Sequence, residues 1–191
     1  DAIFRHSNLV KEIDATHTSI LSNITNIRLR KKENIVLNSK AGHVIDFGNP
    51  FYNPNTAYNK AGGGITLTTG FYVLGDSVNI QYFDDDGSGV VRRFYSSSGT
   101  NIYQDSAAGT VDYSTGKFTI NAINITSTVN TDASIDFTII PTSYDVIAKR
   151  GNLIDISTDA PDISVKGEID TIASGESGAG VGFNSTSSTS Y

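Results

Sequence analysis

Past residue 40 the apolar side chains of this 191-residue chain recur at every second position in short runs, and each run is stopped by glycine, asparagine, aspartate, serine or proline. A period of two belongs to a strand with one buried face and cannot be reconciled with the 3.6-residue period of a helix. Val44, Asp46 and Gly48 alternate with Ile45 and Phe47 until Asn49-Pro50 ends the run. Residues 53–64 (NPNTAYNKAGGG) read as a loop, after which Leu67, Phe71 and Val73 resume. Gly70 among them suits a bulge or a close backbone approach. A first hairpin follows, with Val78, Ile80 and Tyr82 on one face, Asp84 to Gly89 as the turn and Val90 to Phe94 as the return. In a second, Val111 and Tyr113 meet Phe118 and Ile120 across Ser114-Thr115-Gly116, where Gly116 fits the left-handed position of a bulged hairpin. Register is pinned by these faces, because a one-residue slip exposes every apolar side chain. Ile135-x-Phe137-x-Ile139, stopped by Pro141, and Ile163-x-Val165, extending toward Ile169, complete the strands. No internal repeat is present.

The first 40 residues differ. Leu9, Val10 and Ile13 fall on one arc of a helix, Ser7 is a candidate N-cap, and Asp14, Thr16, Thr18 and Ser19 break the period. From Ile24 the spacing becomes that of a strand, with Ile27 and Leu29 on one face and Arg28 and Arg30 on the other. A small helix packed on a sheet is the expected local structure. The segment has no initiator Met, so Asp1 is expected to be a cut into a longer polypeptide. The expected fold is therefore mainly β (α+β): antiparallel strands and hairpins with a short N-terminal helix and an extended C-terminal tail. Residues 1–40 are read as the helix-strand end of an upstream α+β domain, 41–173 as an antiparallel β domain and 174–191 as the tail. That tail is almost entirely Gly, Ser, Thr, Ala and Asn, with Val181, Phe183 and Tyr191 as its apolar anchors. Such a segment cannot offset its own ordering entropy by burial, so another subunit is expected to hold it.

Charge and composition narrow the chemistry. The first 40 residues carry a net +3 and the remainder −9, for −6 in all. Arg28, Arg30, Lys31 and Lys32 form the basic cluster, too small and too poor in interleaved aromatics for nucleic acid and better suited to a solvated strand end or a salt-bridged subunit contact. The absence of cysteine excludes disulfides, thiolate nucleophiles and Cys-based zinc sites. No run approaches the ~18 apolar residues of a membrane helix. Asp84, Asp86, Ser88 and Gly89 imitate the start of a calcium loop, but the twelfth position is Tyr95 where a bidentate Glu is needed. His6, His17 and His43 lack ligand spacing and read as surface or turn residues. No serine sits in G-x-S-x-G, Gly62-Gly63-Gly64 has no Lys-Ser/Thr after it, and Gly178-x-Gly180-x-Gly182 does not fit the dinucleotide pattern. Neither catalysis nor a cofactor or metal is expected.

Several stretches, in order, carry a family resemblance. Phe4-x-x-Ser7-x-Leu9-x-x-x-Ile13-Asp14, then Ser19-Ile20-x-Ser22-Asn23 and Ile27-Arg28-Leu29, resembles the C-terminal half of the large baseplate wedge protein of T4-like contractile-tailed phages, related to the baseplate J-like family. GSGVVRRF (87–94), GTVDYSTGKFTI (109–120), TSYDVIAKRGNLIDI (142–156) and the closing small-residue run extend it over nearly the whole chain. The resemblance implies a structural subunit, assembled in the host cytoplasm into the virion tail baseplate. Such a subunit pairs with copies of itself, joins other wedge proteins and closes into a ring around the tail tube that changes shape on contraction. Expected contact residues are Leu9, Val10 and Ile13 of the helix, Arg28, Arg30 and Lys32 of the basic strand end, and Phe183 and Tyr191 of the tail. The alternative reading is a carbohydrate- or receptor-binding β module of a tail fibre or tip, its nine tyrosines serving for stacking.

Overall fold

The computed structural model describes residues 3–53, 67–148, 154–158 and 162–168. In chain order the elements are β1 (Ile3–Phe4), α1 (His6–Ala15), β2 (Leu29–Asn34), β3 (Lys40–Asp46), β4 (Leu67–Thr68), β5 (Phe71–Val73), β6 (Asp76–Asp85), β7 (Val90–Ser97), β8 (Thr100–Asp112), β9 (Lys117–Thr128), β10 (Ser134–Ile139) and β11 (Val146–Ile147). The chain is mainly β, as the period-two runs require, and every strand pairing is antiparallel. It divides into two units, Asp1–Ile154 and Asp155–Tyr191, the first running across the boundary expected at 40/41.

Five strands close on themselves. β5, β6, β7 and β8 pair in succession, and β9 pairs with β8 through Lys117–Ile120 and with β5 through Ile125–Thr128, making a small barrel. β3 adds to the free side of β9, with Ile45 opposite Phe118. A second sheet of order β2-β10-β4 lies beside it, and β1 pairs with β11. One core serves barrel and second sheet. Phe71 stacks on Phe83 at 4.6 Å, Phe83 meets Phe118 at 6.4 Å, and Phe118 meets Phe137 of β10 at 5.3 Å. All four rings are fully buried, as are Ile45, Ile135 and Ile139, each such side chain contributing roughly 1.5–3 kcal/mol relative to exposure.

Both expected hairpins form, with corrections. Val111 pairs with Phe118 and Asp112 with Lys117, and Gly116 has φ 71°. The Asp112 carboxylate accepts the Ser114 and Thr115 backbone N–H groups and the Ser114 hydroxyl. In the first hairpin β6 stays extended through Asp85, so the turn is shorter than Asp84–Gly89. The face shared by Val78, Ile80 and Tyr82 points outward, with Val78 83% exposed, while Gln81, Phe83 and Asp85 point into the barrel. Polar residues can face inward because each is satisfied there. Gln81 donates to Asp76 at 2.9 Å and accepts from Arg93 at 3.0 Å, and Asp85 accepts the Tyr113 hydroxyl at 2.5 Å. A third hairpin, β7–β8, turns at Ser98 and Gly99 (φ 51° and 79°) and makes residues 100–108 strand, where the sequence reading assigned none. Gly70 is a close-approach position: a Cβ there would sit 2.3 Å from Ile80 Cγ2. In the second unit Ile163 and Val165 are exposed and form no strand among the described residues, and Ile169 lies outside them.

Candidate interaction surface

Helix α1 begins two residues earlier than Ser7 as its N-cap would set it. Arg5 occupies the N-cap position and makes no side-chain cap, which leaves the first-turn N–H groups in need of an acceptor. Asp145 supplies it from 139 residues further along the chain. Its Oδ1 accepts the His6 backbone N–H at 3.0 Å and its Oδ2 accepts the Arg5 guanidinium at 3.1 Å, so both hold its carboxyl below the usual carboxylate range, the backbone bond most. His6 Nε2 donates to the Thr25 carbonyl, Asn23 Nδ2 donates to the Val10 carbonyl and the Asp14 carboxylate, and Tyr144 donates to Asn26. The helix is tied by polar contacts at its flank and its N-terminus.

Apolar packing does not hold it. The expectation of a helix seated on a sheet is corrected: no residue of α1 is buried, and it makes no extensive contact with any strand. Leu9, Val10 and Ile13 remain only half-buried. The segment that follows is not strand either, because β2 starts at Leu29, and Leu21 and Ile24 are 71% and 93% exposed. An open groove of about 670 Å³ lies between α1 and this segment, lined among others by His6, Val10, Asp14, Asn23, Ile24 and Tyr144. A ten-residue helix without a packed face is marginal by itself.

The basic residues are separated by the pleat of β2. Arg28, Arg30 and Lys32 are exposed, whereas Lys31 turns the other way and donates to the Asp46 carbonyl at 2.8 Å. Lys32 pairs with Asp132 at 2.8 Å, an exposed contact that raises the lysine's pKa and lowers the aspartate's. β2 pairs with β10 on one side and with no other strand among the described residues. Its lysines and arginines are the side chains that discourage pairing at a sheet edge. Phe183 and Tyr191 lie outside the described residues.

The acidic hairpin is closed on itself. Arg92 forms a two-point pair with Asp84 (3.0 and 2.9 Å), and the Tyr103 hydroxyl donates to the same carboxylate at 2.8 Å. Burial outweighs Arg92 and raises the Asp84 carboxyl. Asp86 accepts the Ser88 and Val90 backbone N–H groups as an ordinary turn carboxylate does. Beside this pair Tyr82, Phe94 and Tyr103 form a row across β6, β7 and β8, centroids 5.7 and 5.6 Å apart, with the Arg92 guanidinium 4.4 Å above Tyr103. Sequence reasoning missed this row because Tyr103 lay in the unassigned strand. His43, expected at the surface, is buried on the inner face of β3, its Nδ1 3.3 Å from Glu33. Among the described residues no group of three His, Cys, Asp or Glu side chains could hold a metal ion.

No protein-family model, curated protein or solved structure matches the chain.

Proposed function

We propose that this chain is a structural subunit of a contractile phage tail baseplate wedge, working through surfaces that other subunits cover rather than through a reaction. The observation that carries the reading is α1, a short helix whose Leu9, Val10 and Ile13 find no buried position and whose neighbours Leu21 and Ile24 stand in solvent. Apolar groups grouped outside the core in this way are the mark of a surface completed by a partner. The ordered motifs resembling the wedge family support this choice of assembly. The partners in this reading are copies of the chain and other wedge proteins, and the exposed Arg28, Arg30 and Lys32 match charge at the contact. Electron microscopy of the intact particle tests it: density for the chain within the baseplate ring supports the proposal, and its placement elsewhere in the virion removes it. At the bench, Val10→Asp with Ile13→Asp should abolish co-purification with wedge partners and leave the barrel folded.

A second reading, a carbohydrate- or receptor-binding β module, draws on the Tyr82–Phe94–Tyr103 row. The rings are tilted to one another at 31° and 53°, and the Arg92 guanidinium lies over the Tyr103 ring, which leaves less open face for a sugar to stack on. Binding of glycans by the isolated, monomeric chain would favour this reading over the first.

A further inference from the structure

From Phe94 to Gln104 the chain carries no formal charge, a run of eleven residues in a sequence with 14 basic and 20 acidic side chains. These residues are the β7–β8 arm. Ser98 and Gly99 both have positive φ, a two-residue turn of the type that matches strand twist. Beyond it Ser97 faces Thr100, Ser96 faces Asn101, Tyr95 faces Ile102 and Phe94 faces Tyr103. Residues 96–107 are exposed.

The turn fixes which backbone groups point where. In a two-residue hairpin the pair flanking the loop, Ser97 and Thr100, exchanges hydrogen bonds. Antiparallel alternation then sends the N–H and C=O of Thr100 and Ile102 toward β7 and those of Asn101 and Tyr103 outward. On that outward side β8 has no strand partner among the described residues before Gly109, where pairing with β9 begins. The β2 edge is guarded by Arg30, Lys31 and Lys32, but Thr100–Tyr103 has no charge and no proline, and a register shift bounds it only at Gln104.

We propose that two copies of this chain join at this edge, β8 of one pairing antiparallel with β8 of the other across a two-fold axis at Ile102. This rests on the self-association proposed above and names its surface. In that register Asn101 of each copy faces Tyr103 of the other, so the outward groups are those that must pair, giving about four backbone hydrogen bonds. Ile102 faces its twin in the closer, non-hydrogen-bonded kind of pair, with Cα atoms about 4.5 Å apart. The nearest charge, Asp105, faces Gly99 of the second copy, so no like charges oppose. The contact is isologous and closes on itself.

The chain has no cysteine, so single replacements report the register cleanly. A Cα separation of about 4.5 Å lies within disulfide reach. Under mild oxidation of the full chain, Ile102→Cys should give a covalent dimer on the order of tenfold faster than Asn101→Cys, which is offset in this register. Val36→Cys, an exposed site elsewhere, should give none. Ile102→Lys, which opposes two like charges, should raise the dimer dissociation constant about tenfold or more in sedimentation equilibrium, with the circular dichroism spectrum unchanged. Self-association that survives Ile102→Lys, with no preferred cross-link at 102, overturns the arm as the contact and leaves the subunit reading standing. A wild-type chain that stays monomeric at every concentration overturns the self-association beneath it.

Discussion

Replacing Gly116 by alanine should cost about 3–4 kcal/mol, and the structure divides that cost into two parts. The first is conformational: at φ 71° an alanine occupies the left-handed region at about 1 kcal/mol above glycine. The second is a collision. The added Cβ would lie 2.0 Å from the Asn49 carbonyl oxygen and 2.8 Å from its carbon, both backbone atoms that cannot swing aside. Reaching the 3.4 Å of ordinary contact needs a retreat of about 1.4 Å, the difference of the two distances. That retreat pulls on a buried hub. Asn49 donates to the Phe47 and Ile147 carbonyls and accepts the Ile147 N–H, while the Gly116 carbonyl accepts the Phe47 N–H at 2.9 Å. Losing two of these bonds costs about 1 kcal/mol each, before any strain is counted. Gly75→Ala is the control, because Gly75 has φ 94° with nothing within 4 Å of its would-be Cβ, so it pays the conformational part only. Urea unfolding of the three proteins measures the difference. The expected result is a large fall in midpoint for Gly116→Ala and a shift of about 1 kcal/mol for Gly75→Ala, with unchanged m-values. Equal losses at the two sites would refute the close approach as the cause.

Three further outcomes are expected. Phe118→Ala, which empties the ring joining Phe83 to Phe137, should destabilise by about 3–5 kcal/mol in the same assay. Asp145→Ala should speed amide hydrogen exchange throughout α1 while exchange in β9 and β10 stays slow, because the carboxylate caps a helix that no strand supports. Of the nine tyrosines, Tyr103 and Tyr113 have their phenol pKa values raised, by burial first and then by the neighbouring Asp84 and Asp85 carboxylates. A raised folded-state value means that their contribution to stability is complete below the unfolded phenol value of about 10 and is lost as pH climbs toward the folded one. Titration by phenolate absorbance should therefore show Tyr113, part-buried against Asp85, ionising late and together with unfolding, and Tyr103, which is 41% exposed, delayed less. Tyr113→Phe should remove the latest step, and ionisation of Tyr113 ahead of Tyr103 would contradict the burial argument.

The amino-acid order by itself determined several of the strands and the Ser114–Gly116 turn, because period two and the chemistry of Gly116 and Asp112 act over a few neighbouring residues. It located the two hairpins, the Ile135–Ile139 strand, the close approach at Gly70 and a helix through Leu9–Ile13. Tertiary structure alone decided which face of β6 turns inward. Val78, Ile80 and Tyr82 are the more apolar set, yet Gln81 and Asp85 are buried, because Asp76 at the start of the same strand and Arg93 and Tyr113 from neighbouring strands satisfy them. The capping of α1 depends likewise on Asp145, some 140 positions away, and local pattern had pointed to Ser7. Residues 100–108 carry no apolar alternation to betray a strand. Their conformation comes from the partner β7, whose ladder supplies the hydrogen bonds that the sequence cannot announce.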